Sequence, residues 1–171
     1  MLQGKCVGRA EIAGSRTRKR RSLCNKALCT VKALPWDRMP SGVLQEAQLN
    51  TSKPLAEIES ALQESASRNK FGVIAIHDLR ETLKKKGVDL AMECRIFEVC
   101  NPHQAKKVLE SDGAISTALP CRISVYGSEG NYTLATMLPT EMMKAFERPE
   151  IAPVAKEVED VIVRMMQDAA N

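Results

Sequence analysis

Residues 121–138, CRISVYGSEGNYTLATML, contain the pattern that decides the fold. In the first half, Ile123 and Val125 alternate with polar neighbours, which is typical of a strand with one buried face. Residues 127–131 combine glycines with polar side chains and suit a hairpin turn. Residues 132–138 return as the partner. The stretch therefore predicts two adjacent antiparallel strands.

The chain before this hairpin alternates between strand and helix patterns. We predict an edge strand over residues 43–49, a central strand over the β-branched run 71–76, and a further strand over 91–99. A helix is predicted after each of these strands. The residue types that signal the helix starts, as caps or first-turn positions, are Thr51, Ser52, Pro54, Asp78, Asn101 and Pro102.

The end of the chain predicts a long amphipathic helix. Val154, Val158 and Ile162 recur at helical spacing, and most charged residues of this segment fall on the other face. Such a helix packs its apolar face against a sheet. Together with the hairpin, this pattern predicts an α+β domain.

Length and composition exclude several classes of protein. The chain has 171 residues, of which 44% are hydrophobic and 27% charged, so it is neither collagen-like nor wholly disordered. Six cysteines are too few for a disulfide-stapled scaffold of this length. No stretch approaches the roughly 18 apolar residues of a membrane helix, so we expect no membrane association.

Positive charge is concentrated in residues 1–42, which hold ten Lys or Arg and two Asp or Glu. This leader could be a nucleic-acid-binding tail, a targeting peptide, or the product of a misassigned start, with translation truly beginning at Met39. We favour the misassigned start, because residues 1–38 show little helix or strand periodicity. We expect a disordered leader over 1–42 and one α+β domain over 43–171.

The charge of that domain bears on its partners and its location. Residues 43–171 hold 15 basic and 19 acidic groups, and this net negative charge argues against nucleic-acid binding. The leader lacks the apolar block of a secretory signal, so we expect a cytoplasmic protein.

Two cysteines are the best candidates for chemistry. Cys100 precedes a predicted helix start, where the helix dipole favours a thiolate. Cys121 opens the next strand with Arg122 beside it. If these strand ends are neighbours in the sheet, both thiols share one small site. The alternative is that both are buried structural cysteines, as we expect for Cys94.

The two histidines are weaker candidates. Either His77 or His103 could ligate a metal or haem iron, but neither has a second ligand at diagnostic spacing, and surface histidines commonly have no such role. We therefore expect no metal site. Phosphate-binding loops, zinc-protease motifs and serine-hydrolase elbows are missing from the sequence, so it indicates no reaction and leaves open whether the protein is an enzyme.

Three runs of the chain resemble the domain-of-unknown-function family 302, over about residues 43–170. They are Phe71-Gly72-Val73, Ile96-Phe97-Glu98-Val99-Cys100-Asn101-Pro102 followed by Ala105, and Leu119-Pro120-Cys121-Arg122-Ile123-Ser124-Val125-Tyr126. The resemblance implies a TATA-binding-protein-like β-α-β4-α fold, in which a long C-terminal helix lies across a bent antiparallel sheet. It also implies a homodimer. On that plan the short helices between strands are insertions.

The resemblance implies no established activity, but it sharpens the site. The matching runs place Asn101, Pro102, Leu119, Pro120 and Arg122 beside the two cysteines. One hypothesis is a dimeric binding module for a small apolar or haem-like ligand, with His77 or His103 as the iron ligand. The alternative is a thiol redox or sulfur-carrier protein that uses Cys100 as the attacking thiolate and Cys121 as its partner.

Overall fold

A computed structural model describes residues 46–171 of the chain. Its elements alternate between strands and helices, and two 3₁₀ turns lie at Gly113–Ala118 and Pro149–Ile151. In chain order the elements are β1 (Glu46–Thr51), α1 (Leu55–Arg68), β2 (Gly72–Asp78), α2 (Leu79–Lys84), β3 (Glu93–Cys100), α3 (Pro102–Ser111), β4 (Cys121–Ser128), β5 (Asn131–Met137), α4 (Pro139–Lys144) and α5 (Ala152–Ala170).

The five strands form one antiparallel sheet in the order β1-β5-β4-β3-β2. The predicted hairpin is confirmed as β4 and β5, which pair up to Ser128 and Asn131. Gly127, the last residue but one of β4, allows the strands to pair this close to the turn, because its φ is +139° and a Cβ there would overlap the carbonyl oxygen of Asn131. The turn chemistry that the sequence indicated therefore has a steric basis.

The strand predicted to be central lies at the edge of the sheet. Residues 71–76 fall largely within β2, whose Ile74 and Ile76 are 61% and 40% exposed. Ile74 stands at a bulge between Val73 and Ala75, where the register with β3 shifts. A β-branched run is favoured in any strand, so it does not distinguish an edge strand from a central one. β1, predicted as an edge strand, is one.

The core lies between one face of the sheet and two helices. Phe97, Ile123 and Leu134, from β3, β4 and β5, are fully buried against Ile58 of α1 and Met165 of α5. This confirms the α+β class, the antiparallel sheet and the packing of the long terminal helix. A smaller cluster of Val108, Ile115 and Ile151 joins α3, the first 3₁₀ turn and the start of α5.

Helix starts match the sequence predictions unevenly. Asp78 caps α2 by accepting a hydrogen bond from the Glu81 N–H at 2.8 Å, as predicted. Thr51 and Ser52 do not cap α1, which begins after Pro54. Thr51 is instead the buried last residue of β1, and its hydroxyl donates to the carbonyl of Ala170 at 2.8 Å. Thr51, a residue type that often caps helices, thus links β1 to the end of α5.

The other face of the sheet carries a different set of side chains. Cys94, Ile96 and Glu98 alternate with the core residues of β3 and therefore lie on this second face. The expectation that Cys94 belongs to the core is wrong, because strand alternation separates it from Phe97 and Val99.

No helix within residues 46–171 is both long and apolar enough to cross a bilayer. The predicted leader and the alternative start at Met39 lie outside the described residues.

Candidate functional site

Cys100 and Cys121 line the same pocket. β3 ends at Cys100 and β4 begins at Cys121, which pairs across the strands with Val99. The antiparallel register therefore brings two thiols some twenty positions apart to one end of the sheet. The helices complete the walls, and the lining residues are Phe71, Val99, Cys100, Asn101, Gln104, Ala105, Val108, Ile115, Ala118, Leu119, Cys121, Pro139, Met142, Met143, Val154, Ala155 and Val158.

The pocket is small and uncharged. Its cavity volume is about 40 Å³, room for roughly three waters. Of the described residues that form its walls, none is Asp, Glu, Lys, Arg or His. An apolar pocket of this kind disfavours charge, because an ion there loses hydration without gaining a partner.

Both thiols respond to this environment. Burial raises the pKa of the Cys100 thiol above its ordinary value. Burial, and secondly the charge of neighbouring Cys100, raises the pKa of Cys121 to about 11. Burial therefore opposes the thiolate that a helix start was expected to favour at Cys100.

The groups around Cys100 do not offset the effect of burial. The Asn101 side chain accepts hydrogen bonds from the N–H groups of His103 and Gln104, at 3.0 and 3.2 Å, so these donors at the start of α3 are already occupied. Arg122, expected beside the thiols, alternates with buried Cys121 and pairs with Glu98 at 3.4 Å on the second face of the sheet. Arg122, the cation that was expected to stabilise a thiolate, therefore lies on the face of the sheet opposite Cys121.

We predict that Cys121 of the folded chain reacts slowly with iodoacetamide and only as the pH rises. With a pKa of about 11, about one Cys121 side chain in a thousand is a thiolate at pH 8. The labelling rate, followed by peptide mass spectrometry, should rise about tenfold per pH unit from pH 7 to 10. The denatured chain is the control and should level off near an ordinary thiol pKa. A plateau below pH 8.5 in the folded chain would contradict the prediction.

One polar side chain at the pocket has an unused acceptor. Gln104 Nε2 donates to Glu157 Oε2 at 2.7 Å, which fixes the amide so that Oε1 is its free end. Gln104 Oε1 is buried without a hydrogen-bond partner. A buried carbonyl in this state gains from any donor brought to it.

The short helix α4 covers the pocket and is fixed to α5. Buried Glu159 of α5 accepts hydrogen bonds from the hydroxyl and the N–H of Thr140, the latter at 3.2 Å. Burial opposes the charge, but these bonds and Lys156 at 3.2 Å together keep the pKa of Glu159 below its ordinary value. The carboxylate thus holds the helix that carries Met142 and Met143 to the pocket.

The other predicted site residues divide into two groups. Asn101 and Leu119 line the pocket beside the thiols. Pro102 and His103 form the exposed first turn of α3 and do not line it. Pro120, whose peptide bond with Leu119 is cis, and Arg122 line a neighbouring concavity instead.

Haem does not fit this pocket. His77 lies on β2 with Nε2 at 3.4 Å from Glu98 Oε1, and neither His77 nor His103 lines the cavity. Pockets for drug-sized ligands hold about 300–1,000 Å³, far more than the 40 Å³ found here. Among the described residues, the pocket at the thiols therefore offers neither a histidine ligand for haem iron nor space for the macrocycle.

Most residues that line the pocket were not identified from the sequence. Met142 and Met143 have the composition of core filling, and only the position of α4 brings them to the cavity. Val154 and Val158 were recognised as part of an apolar helix stripe, but nothing in that stripe separates a core contact from a pocket wall. The Asn101–Pro102 helix start was the one local signal near the pocket.

Comparisons with known proteins place this fold in a family. The profile described as Domain of unknown function DUF302 matches residues 47–169. The crystal structure of the uncharacterized conserved protein DUF302 from Bacillus stearothermophilus is similar, with a TM-score of 0.70 and 26% sequence identity over 74% of this chain and 99% of that one. Among curated proteins, no sequence matches. The chain therefore belongs to the DUF302 family, as its sequence runs indicated.

Proposed function

We propose that this protein is a binding module that holds a small apolar ligand in the pocket lined by Cys100 and Cys121. The observation that carries the proposal is an apolar pocket with a cavity volume of about 40 Å³, whose uncharged walls are contributed by the sheet and three helices. Cavities lined by apolar side chains stay dry and take up apolar guests.

Binding is better supported than thiol exchange. Nucleophilic cysteines are thiolates at neutral pH, and they are found beside cations or free helix N–H groups. Here the pKa values of both thiols are raised, and Arg122 pairs with Glu98 on the other face of the sheet. A redox or sulfur-carrier role would need a thiol with a lowered pKa and a cation beside it.

Xenon tests the proposal because it is apolar and monatomic. We predict that the full chain binds one xenon atom at the pocket, seen as saturable shifts of the Met142 and Met143 methyl resonances in NMR. The variant Ala118→Leu should abolish these shifts, because it fills the cavity from the 3₁₀ turn. The matched control is Ala114→Leu on the same turn, where the side chain is exposed.

Two outcomes would refute the binding module. One is the lack of any saturable shift at the two methionines. The other is equal binding by the Ala118→Leu and Ala114→Leu variants, which would place xenon elsewhere. Circular dichroism of both variants checks that neither has lost the fold.

The homodimer and the cytoplasmic location stay predictions. Sedimentation velocity of the full chain measures the first, and fractionation of the source cells measures the second.

A further inference from the structure

The concavity that borders the pocket at the end of the sheet shares a wall with it. This concavity has a cavity volume of about 150 Å³. Three of its lining residues, Ala118, Leu119 and Met142, also line the pocket. Met142 is unbranched and has three rotatable bonds, so the shared wall includes a side chain that adapts to its neighbours. A ligand with one end in the pocket can therefore extend past Met142 into the concavity.

We propose that the two spaces form one site for a small monocarboxylate, with its short apolar tail in the pocket and its carboxylate in the concavity against Arg122. The inference rests on the proposed function, since it names a ligand class for the same pocket. Arg122 is the one charged side chain among the described residues that line the concavity, whereas the described walls of the pocket carry none. The charge of the ligand thus stays outside the apolar space, where it keeps water and gains a cation.

The guanidinium of Arg122 has N–H groups left for a ligand. Arg122 is the second residue of β4, and its side chain is 63% exposed. Its Nε lies 3.4 Å from Glu98 Oε1, the same oxygen that lies 3.4 Å from His77 Nε2. A guanidinium has five N–H donors in a plane that suits a carboxylate. The contact through Nε therefore leaves the two terminal nitrogens for the carboxylate of a ligand.

A second groove also borders the pocket, but its charge is less suited to an anion. It shares Phe71 and Gln104 with the pocket and is lined by Arg164. Glu157 and Asp160 line it as well, so that two carboxylates face one guanidinium. Like charges would repel the carboxylate of a ligand there. The sign of the charge therefore favours the concavity at Arg122.

The size of the pocket limits the length of the tail. A cavity of about 40 Å³ holds roughly three waters, and therefore about three carbon atoms. One further methylene beside Met142 brings the carboxylate into the concavity. Pentanoate, which has an unbranched four-carbon tail, is the probe that matches this arrangement.

The test compares pentanoate with its uncharged isostere pentanamide, on the full chain at neutral pH. Shifts of the Met142 and Met143 methyl resonances in NMR give both dissociation constants. We expect pentanoate to bind about twofold to fivefold more tightly, because an exposed ion pair contributes modestly. Arg122→Gln should remove this preference. Arg164→Gln is the matched control and should keep it, since that side chain is also exposed but lies in the second groove.

The Ala118→Leu variant locates the tail. Because Ala118 lines both spaces, the larger side chain should abolish the binding of pentanoate as well as that of xenon. Ala114→Leu, exposed on the same turn, should bind pentanoate as the parent does. Circular dichroism verifies the fold of all four variants.

The outcomes separate this inference from the proposed function. Equal affinity for pentanoate and pentanamide, a preference that survives Arg122→Gln, or one that is lost in Arg164→Gln would overturn the carboxylate site. Unchanged pentanoate binding by Ala118→Leu would overturn it too, because the tail would then lie elsewhere. If xenon binds and pentanoate does not, only this inference falls. If neither binds, the binding module falls with it.

Discussion

Replacing Ile115 by alanine is expected to lower the free energy of unfolding by about 2–5 kcal/mol. Ile115 is fully buried in the 3₁₀ turn, where it joins Val108 and Ile151 in the small cluster and also lines the pocket. The substitution removes buried methyl groups and leaves a space next to an existing cavity. Because that cavity already interrupts the packing, its neighbours have little means of closing the new space.

Chemical denaturation of the Ile115→Ala chain measures the effect, and Ile74→Ala provides the matched control. Ile74 is 61% exposed on β2, so its truncation should change the free energy of unfolding by no more than about 0.5 kcal/mol. Xenon should restore part of the stability lost in Ile115→Ala, because a ligand that binds the folded state alone stabilises it. Equal effects of the two substitutions would contradict the assigned packing.

Replacing Gly127 by alanine is the second change with a large expected effect. Gly127 has a φ of +139°, a region that is essentially confined to glycine, and a Cβ there would overlap the carbonyl oxygen of Asn131. Backbone strain alone costs about 1–3 kcal/mol, and the overlap with main-chain atoms adds to it. We expect a loss of about 3 kcal/mol or more and a disturbed β4–β5 hairpin.

Gly130→Ala in the same hairpin isolates the steric part of that loss. Gly130 has a φ of +78°, but a Cβ there meets nothing within 4 Å. Its replacement should cost only the backbone term, about 1–2 kcal/mol. Thermal unfolding of both variants gives the comparison. A larger loss for Gly130→Ala than for Gly127→Ala would show that the overlap is relieved by a small shift.

The local parts of the fold were readable from the sequence. Period-two alternation around Ile123 and Val125 and the glycine-rich turn identified the hairpin, because both are properties of adjacent residues. The Asn101 cap of α3 was found for the same reason. Strand order was not readable in this way. Most of the run 71–76 forms β2, which pairs only with β3 and is therefore an edge strand. The residue types of the run favour any strand and do not indicate its place in the sheet.

The candidate site shows the same division. Placing Cys100 and Cys121 together needed only the guess that two strand ends are neighbours, and the register of β3 with β4 fulfils it. The pKa of Cys100 could not be predicted, because it depends on the burial of its thiol and on the distance to cations. Arg122 is adjacent to Cys121 in sequence, yet strand alternation sends it to the opposite face.

The bulge at Ile74 limits how copies of this protein can meet. An edge strand with an unbroken row of N–H and C=O groups is a template for pairing with a strand of another molecule, and extended growth of this kind leads to aggregation. Here an extra residue interrupts the regular spacing of β2 and increases its twist. The N–H and C=O groups along the free edge of β2 are therefore irregularly spaced and pair poorly with a strand of another molecule. Ile74 and Ile76 can thus be exposed at this edge without promoting fibril formation.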